Sequence, residues 1–276
     1  MAESETILIN SSSRASGSIA SGTYILPPNL IRCDPNESIT VKLEYFQAPH
    51  SWYNVSSTRN GNIVLVEDET QTAITLTDGN YDAKQLASHI GTALTANSHA
   101  GGTFVSTWSP ITGKISITLT GSSSSITAIT FVGSESMYLF GFTSATESFQ
   151  DGLLTSDQMI SIGNVKALVI HSDIAKRLYM TTSGATNQSN VFAIVPNLAP
   201  ALGEVIYESA NGLEFSVELS SVTGIGSVLF EIRDTRGNLV EMSDNWIIGL
   251  SITKQLNLHT RSTMRIFEMI QKMGIK

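Results

Sequence analysis

From Thr23 onward, apolar and polar residues alternate in short runs. Residues 38–45, Ser-Ile-Thr-Val-Lys-Leu-Glu-Tyr, keep a period of two, which buries one face of a strand and wets the other. Residues 62–67 and 72–77 repeat the pattern at short spacing between polar turns. Such spacing predicts an antiparallel sandwich or barrel. Between Tyr81 and Asn97 the period becomes helical: Leu86, Ile90 and Leu94 recur every fourth position, and Asp82 suits the helix N-terminus. A hairpin follows, 103–108 and 114–120 around a turn at 110–113, then an apolar strand at 126–132. Residues 137–142 close this block, so 78–150 reads as a compact α+β subdomain with one helix. The strand rhythm resumes over 164–171, 190–195, 204–207, 213–219, 227–233 and 246–252. Residues 234–238, Asp-Thr-Arg-Gly-Asn, carry turn chemistry between two of these strands. Strands rarely alternate with helices, which disfavours a parallel α/β sheet.

The two ends differ from the middle. Residues 1–22 are rich in Ser, Gly and Ala around the apolar triplet Ile7-Leu8-Ile9. A segment of that composition cannot offset its own ordering entropy, so it is either a loose tail or an arm that orders on another surface. Residues 261–273 have helical spacing, with Ile266, Phe267, Met269, Ile270 and Met273 on one face. Between Lys254 and Lys276 five basic residues accompany one acid. This tail is read as a helix that closes the core, or one that docks on a partner or a membrane surface.

Composition narrows the function. The chain has 276 residues and a net charge of −8, yet only 14% of residues are charged; 37 serines and 28 threonines supply much of the polar surface. With 41% hydrophobic residues a sizeable core is affordable. The acidic balance argues against nucleic acid as a partner, because neutralising phosphates takes clustered Lys and Arg. Cys33 is the single cysteine, which excludes an internal disulfide and a multi-thiolate zinc site. The acidic start lacks an apolar signal region, so no secretory signal is expected. No run approaches the roughly 20 apolar residues of a membrane span.

The sequence presents no catalytic, cofactor-binding or metal-ligating constellation. His50, His89, His99, His171 and His259 include no pair four apart and no His-Glu-x-x-His. Cys33 lies between Arg32 and Asp34, whose charges nearly cancel, and reads as structural. Gly-x-Ser-x-Gly is missing, and Gly224-Ile225-Gly226 lacks the third glycine of a dinucleotide turn. The acid pairs Glu67/Asp68 and Glu231/Asp234 sit at strand ends, where acids ordinarily serve as solvated turn residues. The expectation is a protein that is not an enzyme and needs no cofactor.

Three ordered stretches carry a resemblance. The first runs from Gly79-Asn80-Tyr81 through Leu86 and Ile90 to Gly113-Lys114-Ile115-Ser116-Ile117 and Tyr138-Leu139-Phe140-Gly141-Phe142. The second is Val165-Lys166-Ala167-Leu168-Val169-Ile170-His171-Ser172, then Val191-Phe192-Ala193-Ile194-Val195-Pro196. The third is residues 230–240, followed by Trp246 and the strand at 247–252. Together they resemble the penton, or minor capsid, proteins of double-stranded DNA viruses with double-jelly-roll major capsids: adenoviruses, virophages, polinton-like elements and large DNA viruses. The chain is shorter than an adenovirus penton base and lacks its integrin tripeptide.

The resemblance implies a mainly β protein: a single antiparallel jelly roll with an inserted α+β subdomain and a short C-terminal helix. The expected divisions are an arm at 1–22, jelly roll at 23–77 and 151–255, the insertion at 78–150, and a basic helical tail at 256–276. It further implies a homopentamer at the vertex of an icosahedral virion, assembling with itself and with the major capsid protein. In the alternative reading, a virion spike or receptor-binding jelly-roll module, the insertion engages a host-cell receptor through exposed aromatics such as Trp108 and Tyr138.

Overall fold

The computed structural model describes residues 3–33, 37–124, 127–163, 165–175, 177–180, 186–209, 214–220 and 224–256. The helical tail expected over 256–276 lies, beyond Leu256, outside the described residues. The chain forms two compact units, one from the described residues of Met1–Trp52 and Val165–Lys276, the other from Tyr53–Asn164.

The path opens with β1 (Glu3–Asn10), a 3-10 turn at Ser11–Ser13, β2 (Ser16–Gly17), β3 (Ser21–Ile25) and the long β4 (Glu37–Pro49). The second unit then contributes β5 (Asn62–Glu67), β6 (Thr70–Thr75), α1 (Ala83–Ala96), β7 (Thr103–Trp108), β8 (Ile115–Thr120), β9 (Thr127–Phe131), α2 (Ser134–Phe140), β10 (Thr146–Ser148) and β11 (Leu153–Thr155). The chain returns to the first unit with β12 (Ala167–Ser172), β13 (Arg177–Met180), β14 (Thr186–Ser189) and β15 (Val191–Pro196). It ends through β16 (Glu204–Glu208), β17 (Ser216–Ser220), β18 (Ser227–Arg233) and β19 (Ile247–Leu256).

Strand order defines the first unit. One sheet runs β1-β19-β4-β16, with β17 following β16 along the same edge of β4; the other runs β15-β12-β18-β3-β2. The main pairings within both are antiparallel. Lettered B to I in chain order (β1, β3, β4, β12, β15, β16 with β17, β18, β19), the sheets read B-I-D-G and F-E-H-C. That interleaving is the jelly roll, a sandwich of two Greek keys. The second unit is inserted between strands D and E.

The core follows from the alternation. In β18, Val228, Phe230 and Ile232 point inward, and in β4 so do Ile39, Val41, Leu43, Phe46 and Ala48. The change of parity after Leu43 is a bulge: Leu250 faces Leu43 while Gly249 faces Tyr45, which leaves Glu44 as the extra residue. Trp246, fully buried, packs edge-on to Tyr24 at 5.5 Å and to Phe230 at 6.3 Å.

Of the segment expected as an arm, the described residues 3–22 are built into the jelly roll. Glu3–Asn10 pairs along its whole length with β19, and Ile9 is buried in the jelly-roll core. The ordering that local composition cannot supply comes from a partner strand some 240 residues downstream. The expected insertion boundary at 78 also shifts. Strands β5 and β6 bury Ile63, Leu65 and Ile74 in a second core with Leu86, Ile90 and Leu94 of α1, so they belong to the inserted unit. Residues 151–163 likewise stay with that unit, through β11 pairing with β8.

Helix α1 starts where expected. Asp82 accepts from the Gln85 N–H at 2.7 Å, and the Gln85 side chain accepts from the Asp82 N–H at 2.9 Å, a reciprocal capping box. A second helix, α2, joins it in a block where a single helix was expected. It ends at Gly141, whose φ of +78° suits glycine and where a Cβ would collide with the Gln158 carbonyl oxygen.

Candidate interface surfaces

Among the described residues, both sheets of the jelly roll end in strands with an unpaired edge, and the two flanks differ. On the B–C flank, among the described residues, β1 pairs only with β19, and only the two-residue β2 lies beyond β3. Ile9 turns into the core while Leu8 turns outward and is 72% exposed. Leu8 lies over Gly249 of β19: a Cβ there would meet Leu8 Cδ2 at 3.3 Å and Tyr45 Cβ at 3.1 Å. At the end of β3, Ile25 is 75% exposed.

Between the two edges runs a groove of about 260 Å³, lined chiefly by Ile7, Leu8, Ile9, Tyr24, Ile25 and Leu26. The Tyr24 hydroxyl is buried without a hydrogen-bond partner among the described residues. Burial pushes its pKa up to about 12, with the Arg14 guanidinium acting in the opposite direction. Arg14 donates to the carbonyls of Ser11 at 2.8 Å and Gly17 at 3.3 Å.

The F–G flank is a ridge. The connection from β15 to β16 carries Leu198, 92% exposed, and Leu202, 87% exposed. Ile194 and Ile206 on the flanking strands are also about half exposed. This turn is tied down closely. The His50 N–H donates to the Gly203 carbonyl at 2.7 Å, and the Leu202 N–H donates to the His50 carbonyl at 3.1 Å. His50 Nδ1 lies 3.1 Å from the Ala199 carbonyl, and its ring stacks on Trp52 with centroids 4.2 Å apart. Asn197 Nδ2 donates to the Val165 carbonyl at 2.8 Å. Leu202 itself is held at φ +64°, a left-handed conformation that Cβ-bearing residues avoid. Beside it Glu204 accepts from Gln47 Nε2 at 2.7 Å.

The outer face of the F-E-H-C sheet holds a small polar cluster. Arg233 donates to Glu231 through Nε and a terminal nitrogen at 3.1 and 3.0 Å, and Ser21 Oγ donates to the same carboxyl group at 3.2 Å. His171 lies opposite Glu231. Burial lowers its pKa, the Arg233 charge adds to this, and Glu231 opposes it.

The structure scatters the residues weighed for chemistry. His89 accepts from the Thr77 N–H at 3.2 Å and stacks on Tyr81, and the His99 N–H donates to Glu67. His259 lies outside the described residues. The buried Cys33 thiol is 3.9 Å from the Leu219 carbonyl. Glu67 is buried and accepts from Ser98 Oγ at 2.6 Å and the His99 N–H at 2.7 Å, which ties down the loop after α1; Asp68 occupies the β5–β6 turn at φ +52°. Asp234 organises its own turn by accepting from the N–H groups of Arg236 and Asn238. No group of three or more His, Cys, Asp and Glu able to hold a metal occurs among the described residues. No helix of the described residues is long and apolar enough to cross a membrane.

Two expectations about exposed aromatics divide. Tyr138 is half exposed, whereas Trp108 packs against the core of the inserted unit. The residues that most distinguish the two flanks, Leu8, Ile25, Leu198 and Leu202, were not nominated from the sequence. The legible sign was Leu198-Ala199-Pro200-Ala201-Leu202, two leucines placed beside a proline outside any alternating run.

No family model matches the chain, and no curated protein matches it. Among solved structures, the chain is similar to the mavirus penton protein, with 12% identity and a TM-score of 0.47 over 93% of this chain and 100% of that one. It is also matched to VP17, a capsid protein of bacteriophage P23-77, with 10% identity and a TM-score of 0.17 over 93% of this chain and 98% of that one. The jelly-roll assignment itself comes from the strand order.

Proposed function

We propose that this chain is a structural viral capsid protein, the subunit of a pentameric vertex, and that it works by shape and contact. The observation that carries the reading is a jelly roll whose two flanks, among the described residues, both end in unpaired strands and both expose aliphatic side chains, one as a groove and the other as a ridge. Aliphatic side chains exposed on both flanks suit contact surfaces. The ordered sequence motifs supply the specific class, the penton. Five copies close by contacts between unlike patches, and the ring sits among major capsid proteins in the virion. Neither catalysis nor a cofactor enters the reading; its polar clusters serve turns, caps and sheet faces.

The test is direct imaging. Class averages of the purified full chain in negative stain are expected to show fivefold rings, and antibody against it is expected to label particle vertices. Rings of three would redirect the reading to a spike. Single subunits at every concentration, with unlabelled particles, would overturn it.

A further inference from the structure

A closed ring requires each subunit to carry two different patches, each fitted to the other. The two flanks of this jelly roll meet that requirement. We propose that the F–G turn of one copy, residues 197–203, seats Leu198 and Leu202 in the B–C groove of the next copy, between β1 and β3. This rests on the vertex reading and names its lateral interface.

Size is the first support. An apolar cavity of roughly 150 Å³ takes a benzene-sized group, so a groove of about 260 Å³ has room for two leucine side chains. Rigidity is the second. The turn is fixed by His50 at both Leu202 and Gly203, so its leucines are presented without a large ordering cost on association. The left-handed Leu202 is a strained, solvent-facing apolar residue, and strain of this kind collects at working sites.

Charge is the third support. Arg14 stands beside the groove residue Tyr24, and Glu204 stands at the foot of the turn. Among the described residues neither forms an ion pair with the other sign. In a head-to-tail contact the cation of one flank meets the carboxylate of the other. The occupant of the groove is therefore a second copy of this chain.

The test uses the full chain and two kinds of variant. Turn variants are Leu198→Asp and Leu202→Asp; groove variants are Leu8→Asp and Ile25→Asp. All four positions are solvent-facing, and unchanged circular dichroism confirms folding before masses are compared. Each variant alone is expected to remain a single subunit where the wild type forms rings, with association weakened at least a hundredfold. Mixing a turn variant with a groove variant is expected to give dimers and nothing larger, because one sound turn meets one sound groove and the ring cannot continue. Arg14→Glu and Glu204→Arg should each weaken assembly, and combining them in one chain should restore it.

Variants that keep the wild-type mass overturn this interface and leave the vertex reading standing. Variants that fail singly but give no dimer on mixing show that the two surfaces do not meet each other, which also overturns it. A wild type that never assembles removes the vertex reading itself.

Discussion

Trp246 donates from its indole Nε1 to the Ile19 carbonyl at 2.7 Å, joining the last strand's approach to the connection between β1 and β3. Ser11 strengthens the link: its Oγ accepts from the Trp246 N–H at 3.0 Å, and its own N–H donates to the Trp246 carbonyl at 2.9 Å. The N-terminal segment is thereby made part of the jelly roll. Trp246→Phe leaves a carbonyl without its donor and a space beside Tyr24, so it should cost about 2–4 kcal/mol in urea unfolding. A change below about 0.5 kcal/mol would show that this anchor does not hold the segment.

Tyr24 offers the opposite case. Its hydroxyl is buried and has no hydrogen-bond partner among the described residues. Tyr24→Phe removes that penalty and should leave stability unchanged or raise it by about 1 kcal/mol. The pH dependence follows from its pKa of about 12 in the folded chain, against an ordinary value of 10.0. Below pH 10 both states keep the proton. Above it the unfolded state loses the proton first, so stability falls from pH 10 toward pH 12. The variant should have a flatter alkaline limb. An identical limb would assign the loss to other groups.

His171 acts at the acid side. Its folded pKa lies below the ordinary 6.5, chiefly through burial. As pH falls below 6.5 the unfolded state takes up the proton first, and stability declines until the folded state is protonated as well. His171→Gln should remove part of the decline expected below pH 6.5 while leaving pH 8 stability close to wild type. The groups facing this position are Arg233 and Glu231, and equal slopes for wild type and variant would place the effect elsewhere.

Leu202 separates stability from assembly. Replacing it with glycine relieves the left-handed conformation, so Leu202→Gly should hold or raise the stability of the single subunit by up to about 1 kcal/mol. The same change removes one side chain of the ridge and should weaken association at least tenfold. Loss of stability together with unchanged assembly would contradict both assignments.

How far the fold was legible depends on how local its determinants are. Helix α1 announces itself because Asp82, Gln85, Leu86, Ile90 and Leu94 all lie within a few turns. The alternating strands β4, β5 and β18 are equally plain. Strand β1 is hidden because Ile7-Leu8-Ile9 breaks the period of two and because its partner residues, 247–254, lie at the other end of the chain. The insertion boundary is hidden because β5 and β6 alternate just as jelly-roll strands do; only their packing against α1 assigns them to the second core. Helix α2 is short and rich in Met, Tyr, Leu and Phe, residues that suit a strand as readily. The flank residues were the least legible. A leucine in a loop acquires meaning only when the structure shows it exposed, fixed and placed opposite a groove.

The central claim is that the chain works by joining copies of itself, and its mass in solution tests that most directly. Mass photometry of the 276-residue chain across a concentration series should show a species of five 29.7-kDa subunits growing at the expense of single ones. A solitary 29.7-kDa species at every concentration would contradict it.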